Sequence, residues 1–396
     1  MRWPRVSALR QVKKLMRMSN AVKKCSVLLI TLAVLAASIA GQRWSEQKAR
    51  DWYASQGWLV GSNYVPASAI NQLEMWQADT FDPKRIDLEL GWAERLGMNT
   101  MRVFLHDLAY SQDPAGFKRR LDQFLEISAR HKIRPMLVLF DSVWDPNPHS
   151  GKQREPRPGV HNSGWVQSPG SKGLTDPSEY PRLEKYVKDV VGSFARDGRI
   201  NSWDIWNEPD NRNGGDYAKQ DPPNKVELIE KLLPMAFRWA RSANPEQPLT
   251  SGVWKGDWFK VGKLDPVEQI QIDNSDIVSF HSYEPADEFT KRLEFLLRYN
   301  RPIICTEYMA RPRGSTFVAI LPIGKKYNIG MINWGFVQGK SQTNYPWDSW
   351  EHPYVEYQPW IWFHDVFRTD GTPYLREETE LIKRLTSESK RMTASR

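Results

Sequence analysis

From residue 59 onward, short apolar runs alternate with longer amphipathic segments, and the alternation repeats eight times. This is the pattern of consecutive βα units, in which each strand is followed by a helix that packs back on the sheet. The predicted strands are 59–64 (LVGSNY), 100–105 (TMRVFL), 134–140 (RPMLVLF), 200–206 (INSWDIW), 249–254 (LTSGVW), 276–281 (DIVSFH), 302–307 (PIICTE) and 330–335 (GMINWG). The predicted helices are 82–96, 114–131, 178–196, 225–242, 264–272, 285–299, 315–327 and 375–386. Eight such units are the count of a (β/α)8 TIM barrel, an α/β fold. A doubly wound sheet is the rival, but no G-x-G-x-x-G turn opens any of these helices. No repeat of fixed period and no Ser/Gly linker divides the chain, so residues 41–396 read as one domain.

The formal net charge of +8 invites a nucleic-acid reading, but its distribution argues otherwise. Residues 1–40 carry eight Lys/Arg and no Asp or Glu, which leaves 47 basic against 47 acidic residues in 41–396. A neutral body has no general attraction to a phosphate backbone. The basic stretch runs to Lys24, the apolar run Cys25–Ala40 follows, and polar Gly41-Gln42-Arg43 comes next. Such a segment reads as a removable export signal or an uncleaved N-terminal membrane anchor. Only Cys305 then remains in the body, so an intrachain disulfide is excluded once the leader is removed. A periplasmic or secreted protein is expected.

Two connections are too long for plain βα turns. Residues 141–177 are rich in Pro and Gly and carry Trp144 and Trp165. Residues 336–361 carry Tyr345, Trp347, Trp350, Tyr354 and Trp360. They follow the third and eighth predicted strands, which puts both on the face where barrels build active sites. Their tryptophans are expected to line a cleft, since flat aromatic faces offer broad apolar contact without needing charge. Trp92 and Trp239 fall within helices and read as core.

The chemistry sits at two strand ends. WDIWNEPD, Trp203–Asp210, closes the fourth predicted strand on Asn207-Glu208-Pro209, and PIICTEYMAR, Pro302–Arg311, closes the seventh on Glu307. Two carboxyl groups facing each other across a barrel mouth are what glycoside cleavage requires: one protonates the leaving oxygen, and the other attacks or directs water.

With these motifs in order, the chain resembles the clan A glycoside hydrolases, in particular glycoside hydrolase family 5 and its cellulase-like and mannanase-like relatives. The resemblance extends over nearly all of residues 55–385. It implies a retaining β-glycosidase with Glu208 as acid/base and Glu307 as nucleophile. It further implies substrate-site roles for Arg102 in NTMRVF, Asn207 before the acid/base, His281 and Tyr283 in FHSY, and Trp334 in INWG. Trp254, ending the fifth strand, is a further subsite candidate. One departure stands out: many relatives end the third strand in histidine, whereas this chain reads LVLFDSVWDPN. Asp141 there is expected to contact a substrate hydroxyl or pair with a basic neighbour.

No H-E-x-x-H, H-x-H or Cys/His cluster suggests a metal, and neither a G-x-S-x-G elbow nor a P-loop is present. The expectation is a monomeric, cofactor-independent hydrolase of β-linked glucan, mannan or xylan. A transglycosylase acting on envelope glycans and a weakly catalytic carbohydrate-binding barrel stay open as alternatives. If the leader is a signal, N-terminal sequencing of exported protein will show a chain shortened by roughly forty residues. An intact Met1 recovered in a membrane fraction would instead identify an anchor.

Overall fold

The computed structural model describes residues 42–394. The export signal or anchor expected at 1–40 lies outside the described residues. Among the described residues, no helix is long and apolar enough to cross a membrane.

Eight parallel strands form one sheet: β1 Val60–Tyr64, β2 Thr100–Phe104, β3 Met136–Asp141, β4 Ser202–Asn207, β5 Leu249–Thr250, β6 Val278–His281, β7 Ile303–Glu307 and β8 Gly330–Asn333. Their order is β5-β4-β3-β2-β1-β8-β7-β6. The remaining gap is closed by a parallel bridge between Val253 and Phe280, where Val253 N donates to Ser279 O (3.1 Å) and His281 N to Val253 O (2.9 Å). The expected (β/α)8 barrel is therefore what the chain forms. β5 is shorter than the run 249–254 because Ser251 leaves the ladder, turning its amide to Ser275 Oγ and its hydroxyl to Trp206 O.

The expected helices form close to their predicted bounds, and the segment 225–242 is one helix, Lys225–Ser242. Three of them start on Asp-Pro. Asp82, Asp113 and Asp265 each accept a hydrogen bond from the backbone N–H three residues on, and a proline occupies the first helical position. That proline lacks an N–H the helix could not have satisfied, and each aspartate cap stabilises by about 1 kcal/mol.

The helix Glu46–Gln56 is not apparent in the sequence pattern. Only Ala49 and Tyr53 on it are buried, too sparse a stripe to stand out. Together with Trp44 they pack on Leu59, Met136, Ile277, Ile304 and Ile332, residues at the beginnings and inner layer of the strands. This apolar layer floors the barrel opposite the active-site rim.

At that rim the two long connections, read separately in the sequence, are bonded to each other. Asn162 N donates to Ser341 O (2.8 Å), His161 N to Ser349 Oγ (2.8 Å) and Tyr354 N to Gly159 O (3.0 Å). Gly159 has φ +69°, and a β-carbon there would fall 2.3 Å from the Tyr354 backbone. Gly159→Ala is therefore expected to part the two loops. Limited proteolysis should then cut within 141–177 or 336–361 sooner than in the parent chain, and an unchanged cleavage pattern would contradict this.

Candidate active site

The site rests on Arg102, which is fully buried at the centre of β2. Its Nε and Nη2 meet Asp204 Oδ2 at 2.9 and 2.8 Å. Nη1 donates to Asn63 Oδ1 (2.9 Å) and Glu307 Oε1 (2.8 Å), and Nη2 donates to Asn207 Oδ1 (2.6 Å). One guanidinium thus ties β1, β2, β4 and β7 together and sets a positive charge directly behind Glu307. The other Glu307 oxygen accepts from the Tyr283 hydroxyl at 2.6 Å. Burial and, to a lesser degree, the facing Glu208 push the Glu307 carboxyl up from its ordinary value, against which Arg102 and the Tyr283 hydrogen bond favour the ionised form.

Glu208 sits in different company. Burial pushes its carboxyl up to about 7; Asn211 and the Arg102 charge pull it down, and neighbouring Asp210 pushes it further up. Asn211 Nδ2 donates to Oε2 at 2.7 Å, and His281 Nδ1 lies 2.9 Å from Oε1. His281 is itself pushed down to about 4 by burial, so the ring is neutral and one proton lies between it and Glu208. The Glu208 backbone has φ +42°, an uncommon conformation for a non-glycine residue. It is held there by Asn211 N on the Glu208 carbonyl (2.9 Å) and by Ser142 Oγ on the next carbonyl, that of Pro209 (2.8 Å).

Asn207 is clamped in one orientation. Its oxygen faces Arg102, and its Nδ2 donates to Asp141 Oδ1 at 2.9 Å. Asp141 is buried, and its oxygens also accept from Trp165 Nε1 (2.5 Å), Gln72 Nε2 (3.1 Å) and Val143 N (3.1 Å). Burial pushes it up to about 7. The expectation that Asp141 meets substrate or pairs with a cation is corrected: protein donors fill both of its oxygens, none of them charged. Arg102 is corrected in the same way. It does not face the cleft and acts through Glu307 and Asn207.

The cleft is a cavity of about 450 Å³ lined by Asn207, Glu208, His281, Tyr283 and Glu307, with Trp144, Trp254, Trp334 and Trp347 on its walls. Trp254 donates Nε1 to Asp210 Oδ1 at 2.8 Å, which fixes its ring beside Glu208. Trp334 packs edge-on to Phe104 and Trp165. Trp144 projects from a backbone at φ +64°, with its N–H on Asn213 Oδ1 at 2.6 Å. Trp350, expected to line the cleft, instead stacks behind Trp144 (ring centroids 4.7 Å apart, planes at 24°). Trp360 is 99% exposed and also stands away from the cleft lining. Trp92 and Trp239 are buried, as expected.

Several functional neighbours were not singled out in the sequence: Asn63, Asp204, Asn211 and the pair Asp210–Lys255. A signal existed for Asp204, a charged residue inside an otherwise apolar strand, whereas Asn63 and Asn211 carry none without the fold. Glu208, His281 and Glu307 also bring one donor atom each within 4.8 Å, a spacing that could hold a metal ion. Glu307 already meets a guanidinium and a phenol, so its charge is matched by the protein.

A model of the family described as Glycosyl hydrolase family 10 matches residues 161–252, the stretch containing Trp203–Asp210. No curated protein sequence matches the chain. Among solved structures it is similar to an exo-β-1,4-mannosidase from Opitutaceae bacterium strain TAV5, with TM-score 0.55 and 18% identity over 84% of this chain. The chain spans 60% of that enzyme's length. It is also similar to a glycoside hydrolase family 5 protein from Streptomyces cattleya in complex with Manβ1-4GlcNAc (TM-score 0.55, 10% identity, 83% of this chain and 80% of that one). A third is the β-mannanase of the blue mussel Mytilus edulis (TM-score 0.51, 13% identity, 83% and 92%). The resemblance to clan A is borne out, with family 10 rather than family 5 supplying the sequence match.

Arg102→Met is expected to leave Asp204 and Glu307 buried without their cation, at a cost of about 3–5 kcal/mol. Urea unfolding will check it, and a loss below about 1 kcal/mol would show that the tie contributes no more than an exposed ion pair.

Proposed function

We propose that this chain, a glycoside hydrolase of clan A, cleaves β-mannosidic linkages in oligo- or polysaccharides with retention, Glu307 attacking and Glu208 serving as acid/base. The observation that carries the reading is the pairing of two unlike carboxyl environments at short range. An oxygen of Glu208 and one of Glu307 lie within 4.8 Å of each other. Retaining enzymes keep their carboxyl groups ~5–5.5 Å apart, whereas inverting ones need ~6.5–9.5 Å to admit a water between them. The preference for mannosides is supported by the mannosidases and mannanases among the similar structures.

In the first step a Glu307 oxygen bonds to the anomeric carbon while the Glu208 proton passes to the departing oxygen. Arg102 and Tyr283 keep Glu307 ionised without shielding it from the cleft, and the elevated Glu208 retains its proton near neutrality. Asn207, clamped by Arg102 and Asp141, keeps a second amide hydrogen for the sugar 2-hydroxyl, a contact that strengthens in the oxocarbenium-like transition state. Once Glu307 is a neutral ester, a nearby negative charge is gone and Glu208 ionises more readily. It then takes the proton of the water that releases the sugar. The basic, apolar leader supports action outside the cytoplasm as part of the same reading.

Glu208 donates its proton in the first step, so kcat/KM on unactivated mannosides is expected to fall as pH rises through about 7. Glu208→Ala should remove that alkaline limb and lower the rate by about 10²–10⁴-fold. An aryl β-mannoside with a good leaving group should still form the glycosyl-enzyme in this variant, and azide should trap it as the β-mannosyl azide. Glu307→Ala should give no β-product. Proton NMR of the azides separates the outcomes: an α-azide from Glu208→Ala reverses the two roles. Faster turnover of aryl β-glucosides or β-xylosides than of β-mannosides removes the mannoside preference.

A further inference from the structure

The cleft wall formed beyond β5, β6 and β7 contains three cations, Lys255, Arg292 and Arg313. Two of them are neutralised by the protein. Lys255 pairs with Asp210 and Asp265, and Arg313 Nη2 lies 3.0 Å from Glu284 Oε1. Arg292 is different. It is only 8% exposed, and among the described residues it makes no hydrogen bond and no ion pair, with its Nε left wholly unsatisfied.

An isolated buried cation is costly unless an anion meets it. The helix Ala286–Leu296 carries Arg292 into this wall, where its guanidinium lies over the Trp258 ring (4.9 Å) and the Phe259 ring (5.6 Å). Ring faces compensate part of the charge, leaving the planar N–H edge free. A methionine or leucine would pack against those rings without the desolvation cost, so packing does not account for an arginine here. The side of the cleft is also defined. Trp254 and Lys255 are anchored to Asp210, two residues past the proton-donating Glu208, so this wall borders the half that holds the leaving group.

We propose that Arg292 binds an anionic group, the carboxylate of a uronic acid or the phosphate of a phosphorylated sugar, on the leaving-group portion of the glycan. This deepens the glycosidase reading and rests on it for the assignment of the leaving-group side. A guanidinium donates two parallel N–H bonds to a carboxylate or phosphate, so the free edge of Arg292 matches either. Substrates would then be acidic or phosphorylated heteroglycans rather than plain neutral mannan.

Binding tests this without depending on turnover. Glucose, glucuronate and glucose 6-phosphate are titrated into the full protein by calorimetry and tryptophan fluorescence, at low and at high salt. At least one anionic sugar should bind about tenfold or more tightly than glucose, with the advantage shrinking as salt rises. Preference for glucuronate identifies a uronate, and preference for glucose 6-phosphate a phosphosugar. Arg292→Gln should abolish the preference, and Arg292→Lys should retain part of it. If Arg292→Gln lowers the melting temperature, Arg292→Met, which keeps the packing on Trp258, takes its place in the same titration. Equal binding of all three sugars by the parent protein overturns the proposal, as does an undiminished preference in a folded Arg292 variant. Aryl β-mannoside hydrolysis is measured separately. An anion preference without hydrolysis sinks the glycosidase reading but not the site, whereas hydrolysis without the preference sinks only the site.

Discussion

Everything at the rim depends on the Arg102 guanidinium and its four partners inside the barrel. A buried cation costs several kcal/mol in lost hydration, and here Asp204, Glu307, Asn63 and Asn207 together offset it. Because these partners come from β1, β4 and β7, the same bonds that satisfy the charge also fix where strand ends stand relative to one another. The arrangement binds structure to chemistry: a shift of any of these strands breaks a charge-assisted bond before it displaces a reacting group.

The contrast between the two glutamates follows from what surrounds each. Glu307 is met by a guanidinium and a phenol, both of which favour its charge. Glu208 is equally enclosed, but its direct partners are an amide and a neutral imidazole, so desolvation dominates and the proton stays on. The charge that raises it further is that of Asp210, its near neighbour in sequence. A strained backbone at Glu208 and another at Trp144 aim one carboxyl and one indole into the cleft, and side-chain and backbone hydrogen bonds hold each in place.

The aromatic wall is built in two layers. Trp144, Trp165, Trp254, Trp334 and Trp347 line the cavity, while Trp350 stacks behind Trp144 and braces it. Bracing matters because a ring that must meet a sugar face loses affinity if it has to be ordered on binding. Asp141 belongs to the same supporting layer. Its place at the end of β3 is used to orient Asn207 and Trp165 together.

The barrel, its eight strands and the positions of Asn207, Glu208, His281 and Glu307 at strand ends were legible in the sequence, because periodicity and strand-end motifs are local properties. The helix Glu46–Gln56 was not, since two buried residues leave too weak a periodic signal. Only the tertiary structure decided which residues face the cavity and which stand behind it. Arg102, by the family resemblance, and Asp141, by its strand-end position, read as contact residues but are enclosed, and Trp350 reads like Trp144 but lies beneath it. The unpartnered guanidinium of Arg292 was equally invisible. It depends on what segments distant in the chain bring within a few ångströms, and sequence spacing carries no record of that distance.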